Sequence, residues 1–168
     1  VFARIAAMPA ALQGGANAAA ARPRLAAVLP AEAQIDVRDE AQRSLIMLPA
    51  DSLFVADSAR LEAHADALLA RVAQALRSAL AHGGEVAVIG HGDDAAPASL
   101  QHPTGWHLTR SRAQAVADAL IARRVAPVRA EGRAEFEPRA ANTTPAGRAQ
   151  NRRIEIELRL RRPEETAQ

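Results

Sequence analysis

Apolar positions along the chain switch between helical and strand spacing, and the order of the switches outlines a fold. From Asp57 onward, Leu61, Ala65, Leu68, Leu69, Val72, Leu76 and Leu80 fall on one face with arginines and acids between them, which predicts an amphipathic helix. Asp57 or Ser58 is its expected N-cap, and Gly83-Gly84 its stop. A second stripe, Leu108, Ala113, Val116, Leu120 and Ile121, predicts another long helix in "LTRSRAQAVADALIARRV", with Thr109 as N-cap. Strand patterns lie around these helices. "IDVRDE" and "RSLIMLP" read as two short strands with Ile35, Val37, Leu45 and Met47 inward and Pro49 ending the second. "EVAVIG" is almost continuously apolar, as in a strand covered on both faces. "VRAEGRAE" reads as a strand kinked at Gly132, and "NTTPAGRAQN" as a short helical turn capped by Thr143 or Thr144. "RRIEIELRL" alternates, with Ile154, Ile156, Leu158 and Leu160 inward and Glu155, Glu157 and Arg159 on a wet face.

Strands separated by helices, closing on a polar-faced strand, predict an α/β chain of the α+β two-layer sandwich type: a mixed sheet with both long helices packed on one face. The expected organisation is an arm or linker over residues 1–34, alanine-rich and punctuated by "QGGANAAAARPRL", one domain over 35–162, and a solvated tail over 163–168.

Composition narrows the function classes. Hydrophobic residues make up 49 % of the 168, enough for a core, but aromatics are only 2 %, so the core must be built from Leu, Val, Ile and Ala. All 21 basic residues are arginine and the net charge is only +2; the basic residues are interleaved with acids and lack aromatic platforms, so no nucleic-acid surface is expected. Without cysteine there is neither a disulfide framework nor thiolate chemistry. No run reaches the roughly 20 apolar residues of a spanning helix, so membrane contact is expected only through a segment outside this chain.

The candidate chemistry centres on "VAVIGHGDDAAP", where an apolar strand delivers a histidine, a glycine and two aspartates into a loop. His91, Asp93, Asp94, His102 and His107 lack the spacing of a zinc site, and His91 reads more simply as a strand-end residue bonded to backbone. The adjacent acids of "GDD" do not face each other, and no nucleophile elbow or cysteine is present, so no catalytic residue, metal or cofactor is expected. Trp106, before the second helix, reads as a packing anchor. Asp93 and Arg112 supply one anion and one cation, which would hold a zwitterion if fixed a few ångströms apart; their alternative is a structural ion pair closing the loop onto the helix. Placed in the first turn after a Thr109 cap, Arg112 would also have the helix dipole behind it.

Five ordered stretches, "DSLFVADSARL", "VIGHGDD", "GWHLTRSRAQAV", "AEGRAEFEP" and "NTTPAGRAQNRRIEIEL", resemble the OmpA-like peptidoglycan-binding domain over about residues 35–161. The resemblance implies that Asp93 and Arg112 bind diaminopimelate at the end of the peptidoglycan stem peptide. It adds Gly92, Gly105, Leu108, Thr109, Arg152 and Arg153 as ligand-site positions, with Asn151 bracing the turn before the last two. Three positions depart from the family's pattern: Gly92 stands where its GHTD motif has Thr, Gly105 where its N-x-x-L-S-x-x-R-A helix start has Asn, and Ala134 where its G-x-G strand has the second glycine. "GWHLT" and the stretch before the domain are similar to the inner-membrane anchored branch of the family, the extended type VI secretion TssL type first and the flagellar stator MotB type next. That implies a periplasmic domain tethered to the inner membrane, with peptidoglycan and other membrane subunits of a secretion complex as partners and homodimerisation open. A decayed site would instead leave a protein–protein assembly module.

Overall fold

The computed structural model describes residues 24–29, 35–95 and 99–161. Of the expected arm, residues 1–23 and 30–34 lie outside these, as does the tail 163–168.

In chain order the elements are α1 (Leu25–Val28), β1 (Asp36–Asp39), β2 (Arg43–Pro49), α2 (Ala50–Leu53), α3 (Ala65–Leu80), β3 (Gly84–His91), α4 (Gly105–Ala122), β4 (Val128–Gly132), α5 (Pro145–Asn151) and β5 (Arg153–Leu160). The sheet order is β1-β2-β5-β3-β4. Only β3 and β4 run parallel, joined through α4; every other neighbouring pair is antiparallel. The expected mixed sheet, with α3 and α4 contributing to a single core, is the fold observed.

The core lies between the sheet and α3–α4. Val86 and Val88 of β3, Ile154, Ile156 and Leu158 of β5, and Ile46 and Leu48 of β2 meet Leu69, Val72 and Leu76 of α3 and Val116 and Leu120 of α4. This corrects the phase of β2: Ile46 and Leu48, not Leu45 and Met47, join the core, because an uninterrupted run of four apolar residues carries no alternation to read. Leu45 and Met47 lie on the other sheet face, in register with Glu157 and Glu155, and are still buried. The face expected to be wet is likewise partly closed, since Glu157 is buried and bonded by Arg43 and Arg159.

Both long helices begin elsewhere than expected. α3 starts at Ala65 after His64, with no side-chain cap; Leu61 is in helical phase only by coincidence and bridges to Phe54 instead. α4 starts at Gly105 under Thr104, whose hydroxyl oxygen accepts from the His107 amide. α5 has Thr144 as cap and Pro145 in its first turn.

Residues 24–29 belong to the packed structure rather than to a free linker. Leu25 and Leu29 are 1 % and 2 % exposed and sit in the core with Ile35. The Asp39 carboxylate accepts from the Leu25 and Ala26 amides at 3.2 and 3.0 Å, satisfying orphan donors at the start of α1.

Candidate functional site

The strands β3 and β4 end in glycine on the helix side, and that lets α4 settle directly on the sheet. A Cβ on Gly90 would lie 2.1 Å from the Thr109 carbonyl oxygen, and one on Gly132 would lie 2.5 Å from the Arg110 amide nitrogen. Thr109 is thereby fixed against the strand ends: its hydroxyl donates to the Gly105 carbonyl at 2.8 Å and accepts from the Ala134 amide at 3.2 Å. One turn further on, Arg112 projects over the end of β3.

A cavity of about 560 Å³ opens at this end of the sheet, lined by Gly92, Asp93, Leu108, Thr109, Arg112 and Arg152 of the expected positions. It falls within the ordinary size range of small-ligand sites. Two expected positions are not in its lining. Gly105 is the first residue of α4. Arg153 is buried on the opposite sheet face, donating to Glu155 and to the Glu137 carbonyl, because successive strand residues point to opposite faces.

The remaining wall comes from α2 and from the segment between α2 and α3, which sequence reading assigned to a helix from Asp57 onward. Asp51, Phe54, Ala56, Asp57 and Glu62 line the cavity, with Arg148 of α5. Asp57 has φ 53°, a left-handed value that Asp tolerates, and the bridge between Phe54 and Leu61 folds the segment back on itself. The one signal that could have exposed this wall is "FVADSAR", where polar and turn-forming residues interrupt the apolar stripe after Phe54.

Arg112 and Asp93 share the cavity without pairing. Arg112 is 7 % exposed, its Nε donates to the Ser58 carbonyl at 2.8 Å, and its guanidinium carbon lies 5.2 Å from the Phe54 ring centroid. It forms no salt bridge among the described residues. Burial pushes its pKa below the ordinary value, opposed by the charges of Asp51 and Asp57; an arginine nevertheless stays protonated. Asp93, 5 % exposed, accepts from Arg152 Nη1 at 2.5 Å and from the Ala95 amide at 3.2 Å. Arg152 also holds both Asp51 oxygens, each at 2.8 Å, and its pKa is raised above the ordinary value, first by the Asp51 hydrogen bonds. Arg152 is therefore a clamp tying α2 to the end of β3, and the structural ion pair of the site is Arg152 with Asp51 and Asp93.

The Gly92 departure has a local counterpart. A Cβ at Gly92 would lie 3.3 Å from Thr109 Cγ2. The Thr109 methyl thus occupies the space beside Gly92. His91, expected to bond backbone, does not: it is 1 % exposed on the outer sheet face, and neither ring nitrogen has a hydrogen-bond partner. Its Nε2 lies 3.3 Å from Glu155 Oε2 without hydrogen-bond alignment.

A buried cation and a clamped anion across a preformed cavity, on a sheet with two helices on one face, define a binding module of the OmpA-like class with no catalytic machinery. The chain belongs to the OmpA family, whose model matches residues 53–152. Among solved structures it is similar to the cell wall anchor of the T6SS from Pseudomonas aeruginosa, with 39 % identity and a TM-score of 0.77 over 83 % of this chain and 99 % of that one. The periplasmic domain of Helicobacter pylori MotB shares the fold at 22 % identity and a TM-score of 0.70, covering 79 % of this chain and 85 % of that one. The peptidoglycan-associated lipoprotein from Burkholderia pseudomallei matches at 27 % identity and a TM-score of 0.52, covering 64 % and 88 %. No curated protein sequence matches the chain.

Proposed function

We propose that this domain is a non-catalytic peptidoglycan anchor in the periplasm, serving an inner-membrane secretion complex of the type VI TssL kind. The observation that carries the reading is Arg112: a buried guanidinium with no carboxylate partner among the described residues, lining a cavity whose wall also holds a clamped carboxylate. The free end of diaminopimelate bears a carboxylate and an ammonium on one carbon. The carboxylate suits the Arg112 fork, which can bond both oxygens. The ammonium suits Asp93, whose position Arg152 fixes in advance, so little ordering remains to be done on binding. Asp57 and Glu62, also in the lining, add negative charge for the same ammonium.

The T6SS anchor, matched over nearly its whole length, favours the secretion role over the stator role. Tethering to the membrane, through a segment outside this chain, and contacts with other subunits of the complex belong to the same proposal. In that role the domain transmits load and turns nothing over.

Retention on purified peptidoglycan sacculi tests the reading. The wild-type chain should sediment with sacculi, and Asp93→Ala and Arg112→Ala should remain in the supernatant while keeping their circular dichroism. A folded wild type that stays in the supernatant would overturn the anchor reading and leave an assembly module in its place.

A further inference from the structure

The chain has three phenylalanines, one tryptophan and no tyrosine. Phe54 lies under Arg112 in the cavity. Trp106 and Phe136, by contrast, are 50 % and 64 % exposed, yet stack on each other with centroids 5.5 Å apart and planes inclined by 28°. The packing anchor expected of Trp106 is thus an external surface. A chain so poor in aromatics gains little for its core by leaving its largest ring half in water, and paired exposed rings mark binding surfaces.

We propose that Trp106 and Phe136 form a platform for a pyranose ring of the glycan strand whose stem peptide occupies the cavity. This inference rests on the anchor reading above and adds a second subsite to it. The C–H face of a pyranose is apolar and weakly positive, which suits the negative face of an aromatic ring, while its hydroxyl rim needs polar neighbours. Both kinds of group are present. The Trp106 indole N–H makes no hydrogen bond among the described residues, and Arg110, one turn further along α4, is exposed.

Position supports the assignment. Trp106 begins the helix that carries Leu108, Thr109 and Arg112 into the cavity. Phe136 closes the turn after β4, donating its amide to the Arg133 carbonyl at 3.2 Å. That turn is bound to the cavity wall, since the Gly92 amide donates to Ala134 at 2.8 Å and the Ala134 amide to Thr109 at 3.2 Å. Trp106 and Arg112 are six residues apart on α4, a rise of about 9 Å along its axis. The cavity holds the charges and the platform none, as in a ligand with an ionic peptide end and a neutral sugar end.

The test compares two probes on the 168-residue chain: a disaccharide–tripeptide ending in meso-diaminopimelate, and the same tripeptide without sugars. The wild type should bind the disaccharide form about three- to tenfold more tightly. Trp106→Ala and Phe136→Ala should bring that ratio towards one with tripeptide affinity unchanged, and Trp106→Phe should keep part of it. Emission from the single tryptophan should shift with the sugar-bearing probe and not with the tripeptide. Equal affinities for the two probes, or a ratio unchanged in Trp106→Ala, would overturn the platform and leave the anchor standing. A wild type that fails to bind the tripeptide overturns both. If Trp106→Ala only converts a dimer to a monomer in sedimentation, with the ratio intact, the rings belong to an interface between copies and the sugar platform falls.

Discussion

A guanidinium that is buried, charged and unpaired by a carboxylate is destabilising unless something else uses it, and among the described residues Arg112 meets all three conditions. The consequence is an opposed effect on stability and binding. Arg112→Met, which keeps the stem on Phe54 and removes the charge, should leave the melting temperature unchanged or raise it while sacculus retention is lost. Arg112→Lys should retain the charge but not the fork or the Nε bond to Ser58, and its affinity for a diaminopimelate tripeptide should fall more than about tenfold in calorimetry. Arg152→Ala acts differently: it leaves Asp51 and Asp93 facing one another without their shared cation. A loss of about 1–3 kcal/mol in denaturant unfolding, together with weaker tripeptide binding, is expected. Asp93 was legible as an acid ending an apolar strand and Arg112 through its family motif, but Arg112 lies about two turns into α4 rather than in its first turn, so the helix dipole expected behind it is not there. Arg152 was legible as a position but not as a clamp, since Asp51, its main partner, is 101 residues away in sequence.

The seat of α4 on β3 and β4 is a contact of backbone on backbone, which makes it unforgiving. Gly90→Ala would press a methyl into the Thr109 carbonyl, and neither partner is a flexible side chain that could yield. The expected outcome is a loss of about 2–4 kcal/mol of stability, or a shift of α4 that carries Arg112 out of place; chemical denaturation and sacculus retention read the two. Elements were legible where the periodicity was clean, as in β5 and in the body of both long helices. Their ends were not. Thr104 and Thr109 are equally good caps by residue type, and the first three of the four residues between them, Gly105, Trp106 and His107, are unpromising helix formers. Leu61 continued the α3 stripe by chance, which hid the wall-forming segment before it.

For the whole molecule, Leu25 and Leu29 tie the stretch before β1 into the common core, so Leu29→Ala should lower stability by about 2–4 kcal/mol in thermal or denaturant unfolding. The sheet face away from the helices sets an acid limit. Burial pushes the Glu155 carboxyl up, but the contact with His91, that ring's charge and the Arg153 hydrogen bond outweigh it and hold the pKa at about 2. A carboxyl depressed in the fold contributes stability that is complete above its unfolded pKa of about 4.3 and is lost as pH falls through about 2. Unfolding free energy should therefore drop by up to about 3 kcal/mol across that window, and Glu155→Gln should flatten the drop. The layered architecture was readable from the order of helical and strand patterns, and the family from the resemblance of five ordered motifs; the partial closure of the outer face was not, because its long Arg and Glu chains look solvated in sequence.

The start of α1 is held by Asp39, which lies at the edge of the sheet opposite the end that carries the cavity. A pull between the two would run obliquely, about 17 Å along the strands and about 14 Å across them, and would pass through the antiparallel ladder of β3 and β5. The rungs of that ladder stand at right angles to the strands, and the lengthwise part of the pull would strain them together in shear. Against that part a tether built this way yields by sliding its strands, which makes its mechanical strength a property of the paired strand length.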